Sequence, residues 1–219
     1  MKSIRTYHPR RGRLSGRHHD ALDRLLPTYG VSADGPVTAE SLFGVDVPLV
    51  VEIGSGMGEA TAAMAQADPG RGYLAVEIHT PGVANLLATV EERGLTNVRI
   101  AFEDALEVMG RVPPGTLAAV HAFFPDPWPK ARHHKRRLVQ PGHVALLASR
   151  LAPGGLLWCA TDWPEYAAAM GETLDASPLL LKRAEPANGG SAHVRPVTKF
   201  EKRGRDAGRA IADLRYTRR

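Results

Sequence analysis

The stretch Val50-Val51-Glu52-Ile53-Gly54-Ser55-Gly56-Met57-Gly58-Glu59-Ala60 runs from an apolar segment through a glycine turn into a helix-forming segment. That is the layout of a nucleotide-type cofactor site, in which glycines such as Gly54 and Gly56 let a ligand approach the backbone closely. The spacing is G-x-G-x-G and departs from the G-x-G-x-x-G of a dinucleotide fingerprint. Glu52, just before the turn, would repel a pyrophosphate but complements a cofactor carrying a sulfonium and an ammonium, which points to S-adenosylmethionine. Glu77 closes the next apolar run, where a carboxylate can accept both ribose hydroxyls, and Asp104 follows the third run, where it can accept from an adenine amino group. Any one of these is an ordinary strand-end acid. Three at successive strand ends converge on one crevice, because ligands of open α/β sheets bind at the carboxyl ends of the strands.

A second candidate lies in Pro125-Asp126-Pro127-Trp128-Pro129-Lys130, directly after an apolar run. Each proline pushes its predecessor out of the right-handed helical region, so Phe124, Asp126 and Trp128 are expected extended. Such a loop loses little backbone entropy on folding and suits a carboxylate, Asp126, that must be held accurately beside a reacting group. Lys130-Ala131-Arg132-His133-His134-Lys135-Arg136-Arg137 comes next and contains no acid. At the mouth of a crevice, the run Arg132, His133, His134, Lys135, Arg136 and Arg137 is expected to face nucleic-acid phosphates. No second cluster accompanies the two histidines at ligand spacing, so no metal is expected.

The elements that must carry these residues alternate. Apolar strand-like runs at 48–53, 73–78, 98–102, 117–124 and 156–160 are separated by helical stretches at 58–67, 81–93, 105–110 and 141–151. This β-α-β-α order predicts a doubly wound, Rossmann-like α/β domain with a mostly parallel sheet. Residues 179–184 read as a strand, 188–191 as a loop, and 210–216 alternate with period 2, as a last, antiparallel strand would. Residues 1–46 are expected to form a basic arm and a short helical preamble around 19–26, and 47–219 the catalytic domain.

Charge is distributed unevenly over the 219 residues. Residues 1–17, 130–137 and 199–219 together hold 19 bases and 3 acids, whereas the rest of the chain holds 9 bases and 20 acids. A basic surface laid over an acidic body indicates a polyanionic partner. No apolar run approaches the roughly 20 residues needed to cross a bilayer. The single cysteine, Cys159, lies in an apolar run and can form no intramolecular disulfide, in keeping with a cytoplasmic setting.

With these residues assembled, the chain resembles the bacterial tRNA (guanine-46-N7)-methyltransferase family, the TrmB type. The likeness covers Glu52 to Gly58, Glu77-Ile78-His79-Thr80-Pro81-Gly82-Val83, Gly94 to Arg99 with Asp104-Ala105, Phe123 to Arg137, Thr161-Asp162, and Arg195 to Gly204. The Phe-Phe-Pro-Asp-Pro-Trp-Pro-Lys stretch, paired with Thr-Lys-Phe-Glu near the C-terminus, is its most specific part. The resemblance implies a class I methyltransferase fold and S-adenosylmethionine contacts at Glu52, Glu77, Asp104 and Asp126. It also implies a tRNA substrate held at Lys130, Asp162, Thr198, Lys199, Phe200 and Glu201. A carboxylate such as Asp126, Asp162 or Glu201 can hold guanine through its N1 and N2 donors, a pair that adenine lacks. Gly208-Arg209 and Ala212-Asp213 depart from the family's glycine-histidine and tryptophan-aspartate pairs, and neither departure alters a proposed pocket residue. Two other readings compete: a nicotinamide-dependent oxidoreductase, which the glycine spacing opposes, and an RNA-binding protein with an inactive methyltransferase fold.

Overall fold

The structure is a computed structural model that describes residues 5–7, 12–183 and 195–219. Lys2, Arg10 and Arg11 of the expected basic arm, the expected loop 188–191 and the end of the expected strand 179–184 lie outside the described residues.

Strands β1 (Leu49–Ile53), β2 (Gly72–Val76), β3 (Val98–Ala101), β4 (Leu117–Phe123), β5 (Leu151–Thr161), β6 (Leu180–Lys182) and β7 (Ala212–Arg218) form one sheet in the order β3-β2-β1-β4-β5-β7-β6. The first five are parallel, and β7 lies antiparallel between β5 and β6. Every residue of β1 and β2 is buried. Covered on both faces, they read as continuous apolar runs instead of alternating ones. Strand order reverses between β1 and β4, which opens a crevice at their carboxyl ends.

Around the sheet lie α1 (Gly16–Tyr29), α2 (Ala39–Phe43), α3 (Glu59–Ala67), α4 (Thr80–Glu92), α5 (Ala105–Arg111), α6 (Pro141–Arg150), α7 (Pro164–Asp175) and α8 (Lys199–Asp206). Helix α1 starts earlier than the sequence suggests because Ser15 and His18 cap it reciprocally. It buries Ala21 and Leu25 in the cluster that holds Val83, Leu87 and Ile100, and so becomes part of the core. Helices α2, α7 and α8 are additional to the expected elements, although α7 carries an apolar stripe, Tyr166, Met170 and Leu174, at helical spacing. The signal for α8 is present all the same: Thr198 accepts a hydrogen bond from the Glu201 N–H at 3.1 Å, an N-cap.

Strand β5 is twice the length expected. It follows α6 without a loop, pairing Leu151 with Leu117, and a register shift carries it past Gly154 and Gly155 so that Leu156 faces Ala119. Cys159 is buried in the main core, where burial pushes its thiol up to about 12, in accord with a packing role.

Candidate active site

The glycine turn is folded tightly onto its neighbours. Gly58 has φ +77°, and a Cβ there would lie 2.6 Å from the Leu86 side chain. At Gly82 a Cβ would lie 2.2 Å from the Gly56 carbonyl, so only glycine lets α4 approach the turn this closely. Glu77 fastens the arrangement: its Oε2 accepts from Gly56 N at 2.7 Å, and its Oε1 accepts from Ile78 N at 2.7 Å and His79 N at 2.8 Å. A carboxylate offers about four acceptor sites. Three are occupied by backbone N–H groups, which leaves room for one further donor where the sequence suggested two ribose hydroxyls.

Glu52, the last residue but one of β1, is buried and accepts a hydrogen bond from the Thr61 hydroxyl of α3. Burial pushes its carboxyl up to about 7; the nearby Glu77 carboxylate adds to the rise, while Thr61 and Arg195 oppose it. Both acids line a cavity of about 320 Å³, along with Gly54, Ser55, Gly56, Asp126 and Phe200. The donor set fits S-adenosylmethionine. Two carboxylates face a space next to glycines with no obstructing side chain, and Ser55 Oγ is buried there with no hydrogen-bond partner among the described residues.

The proline loop corrects one expectation. Phe124 has φ +53° and Trp128 φ +46°, both left-handed where extended backbone was expected. Proline excludes only the right-handed helical region for its predecessor, and tertiary packing selects among what remains. A non-glycine residue held there costs roughly 1–3 kcal/mol and must be over-determined by its surroundings. For Trp128 those surroundings are complete burial, a hydrogen bond from Nε1 to the Thr6 carbonyl at 3.2 Å, and the Arg136 guanidinium 4.9 Å from its ring centroid. Phe124 donates its N–H to the Ala160 carbonyl at 2.7 Å and carries the Arg195 guanidinium 5.2 Å from its ring centroid.

Several predicted contacts fall elsewhere. Arg137 is buried, in contrast to the expected phosphate contact: it donates to the Pro127 carbonyl at 2.9 Å and to Glu165 at 2.5 and 3.0 Å, tying the proline loop to α7. His133 and His134, expected as RNA-facing donors, are half-buried. The former meets the edge of Trp128, and the Nε2 of the latter lies 4.0 Å from Glu165. Arg132, Lys135 and Arg136 remain exposed on a 3-10 helix, Ala131–Arg136, with Lys130 exposed just before it.

Asp104 caps α5, accepting from Leu106 N at 2.8 Å, and its neighbours Glu103 and Ala105 line the cavity in its place. Glu201 is buried between Arg195 and Arg205, and Asp162 is held by Arg209 at 2.7 Å, so neither carboxylate is presented to the cavity. Thr198, Lys199 and Phe200 do line it, as does Asp126. The sequence reading missed Thr6, Tyr7, Ser55, His79 and Arg203 in the wall. Nothing local marks Thr6 and Tyr7, which reach the site by folding back over Trp128. Among the described residues there is no group of three or more potential metal ligands, and no helix is long and apolar enough to cross a membrane.

Residues 46–214 match the family described as "Putative methyltransferase". The tRNA (guanine-N(7)-)-methyltransferase of Streptomyces avermitilis is 47% identical over 99% of this chain and 76% of its own length. That of Bordetella pertussis is 48% identical over 98% of this chain and 85% of its own length. Among solved structures, the 16S rRNA methyltransferase KamB superposes with a TM-score of 0.54 at 17% identity, covering 82% of this chain and 91% of that one, which establishes the shared fold.

Proposed function

The chain belongs to the tRNA (guanine-N7)-methyltransferase family, and on that premise we propose that it transfers a methyl group from S-adenosylmethionine to N7 of guanine-46 in tRNA, giving 7-methylguanosine. The observation that supports this most directly is the cavity in which Glu52, Glu77 and Asp126, from three strand ends, meet beside the glycine turn. Residues 47–219 are assigned to the methyltransferase domain and 1–46 to the basic arm and helical preamble, in a cytoplasmic protein.

S-adenosylmethionine, when bound, supplies a methyl group made electrophilic by its sulfonium. Glu52, Glu77 and the backbone of Gly54 and Gly56 would hold it, with Ser55 Oγ as a further polar contact. Guanine N7 has an in-plane lone pair and no proton, so no side chain has to act as a general base. The residues of this chain contribute positioning and a matching field. Asp126 accepts from guanine N1–H and N2–H, and its charge complements the positive charge that the ring acquires on methylation. Exposed Lys130, Arg132, Lys135, Arg136 and Lys199 meet tRNA phosphates near the cavity mouth.

The test is methyl transfer from labelled S-adenosylmethionine to unmodified tRNA, followed by nucleoside analysis and comparison with a tRNA carrying adenine at position 46. Labelled 7-methylguanosine, absent from the adenine-46 tRNA, is the expected result. Cofactor and tRNA binding without transfer would favour the inactive RNA-binding reading.

A further inference from the structure

We propose that Phe124 and Phe200 form an aromatic clamp that takes the extruded target guanine between their ring faces, making both of them positioning residues of the site. The inference rests on the function proposed above and concerns how the base is held. The two rings are nearly parallel, at 20°, with centroids 6.4 Å apart. A planar base between two ring faces needs about 7 Å, twice the carbon–carbon contact distance, so one ring must move outward from the present centroid separation of 6.4 Å before a base enters. Both rings line the cavity that holds Asp126.

The two jaws differ in how they are held. Phe124 is the fixed one, in a left-handed backbone conformation, with its backbone hydrogen-bonded to β5 and the Arg195 guanidinium packed on its ring. Phe200 is the outer one, 41% exposed, in the first turn of α8 and leaning over the glycine turn, where a Cβ on Gly56 would lie 3.9 Å from its ring. Arg195 couples them, since the guanidinium over Phe124 also pairs with Glu201, the residue after Phe200, at 2.5 Å. A large aromatic left exposed at a cavity lip, facing a strained partner ring, has the chemistry of a base-stacking platform. An enzyme that acts on a base removes it from its stack, and a ring face on each side replaces the stacking that the base loses.

Because Phe200 is exposed, Phe200→Leu keeps the fold and the apolar bulk but removes the π face; Phe200→Tyr restores the face. For Phe200→Leu, KM for tRNA is expected to rise about fivefold to a hundredfold, the span produced by loss of one base–aromatic stack, with S-adenosylmethionine affinity unchanged and with rescue by Phe200→Tyr. A second readout uses tRNA with 2-aminopurine at the target position, at protein concentrations that saturate it. The parent complex is expected to stay quenched by ring stacking and the Phe200→Leu complex to brighten. Equal fluorescence together with an unchanged KM in Phe200→Leu would overturn the clamp. If the parent protein forms no 7-methylguanosine, the proposed function fails instead, and the fluorescence comparison alone decides the clamp.

Discussion

Replacing Glu77 by Gln changes one oxygen to an NH2 group while keeping shape and volume, and the structure says what that exchange costs. Glu77 is 9% exposed, and its carboxylate accepts three backbone N–H groups at 2.7–2.8 Å. If the amide oxygen stays on the Ile78 and His79 side, the NH2 must face Gly56 N–H, donor against donor. One charge-assisted hydrogen bond is then broken and a buried donor is left unpaired, each worth roughly 1.5–3 kcal/mol by itself and overlapping in part. The glycine turn is where that energy is spent, because Gly56 N–H ties it to Glu77 just past β2, beside the Gly54 and Ser55 N–H groups that donate to the Val76 carbonyl. Loosening the turn by about 2 kcal/mol lowers S-adenosylmethionine affinity roughly thirtyfold. Titration calorimetry of parent and Glu77→Gln measures it, with tRNA binding as the control that should change little. Cofactor affinity within twofold of the parent would mean that the Glu77 contacts do not organise the turn for binding, and the reasoning would fail.

Other consequences follow from the remaining buried and exposed charges. Neutralising Arg132, Lys135 and Arg136 together should weaken tRNA binding and flatten its salt dependence by roughly one unit of slope for each phosphate left without its cation, whereas Arg137→Met should leave the slope alone and lower the melting temperature by releasing the proline loop from Glu165. Glu52 titrates near 7 in the ligand-free chain, and a cationic cofactor favours its carboxylate, so affinity should rise from about pH 6 to 8 and lose that rise in Glu52→Gln. The rate at saturating cofactor and tRNA should stay flat over the same range, because N7 carries no proton. With its folded pKa above the unfolded value, Glu52 stabilises the ligand-free fold below about pH 4.5 and loses that contribution as pH rises to 7, which urea melts of parent and Glu52→Gln would show as a divergence toward neutral pH. His121 shifts the other way: burial, and secondarily Arg71, lower its pKa from 6.5 to about 3. The unfolded chain therefore gains a proton that the fold refuses, and stability falls below pH 6.5 by up to about 1.4 kcal/mol per pH unit, a loss that His121→Phe should remove in acid melts.

The alternation of apolar runs with helical stretches is written in the sequence, because a buried parallel strand and an amphipathic helix each impose a period within a few residues. The glycine turn and the acids at 52 and 77 were legible for the same reason: a turn beside a cofactor demands glycine, and strand ends are recognisable from the runs that precede them. Asp126 is legible through its prolines, yet the backbone at Phe124 and Trp128 is not. Proline removes one region of φ/ψ space and leaves the choice among the others to packing, and the Trp128 indole is held by a carbonyl 122 residues away. The basic run shows the same division. Its composition announced an anionic partner, but Arg137 finds Glu165, 28 positions along the chain, and turns inward, while Arg132, Lys135 and Arg136 stay outside. Glu201 and Asp162 read as guanine acceptors by residue type; Glu201 is taken by Arg205, one helical turn on, and by Arg195, six residues back, whereas only the folded chain delivers Arg209 to Asp162 across 47 positions. Residue type and short spacing determine what a side chain can do locally. Which charge meets which partner is decided by the crossovers of the sheet, since a buried ion must be paired wherever the topology brings its counter-ion, and no local pattern records that distance.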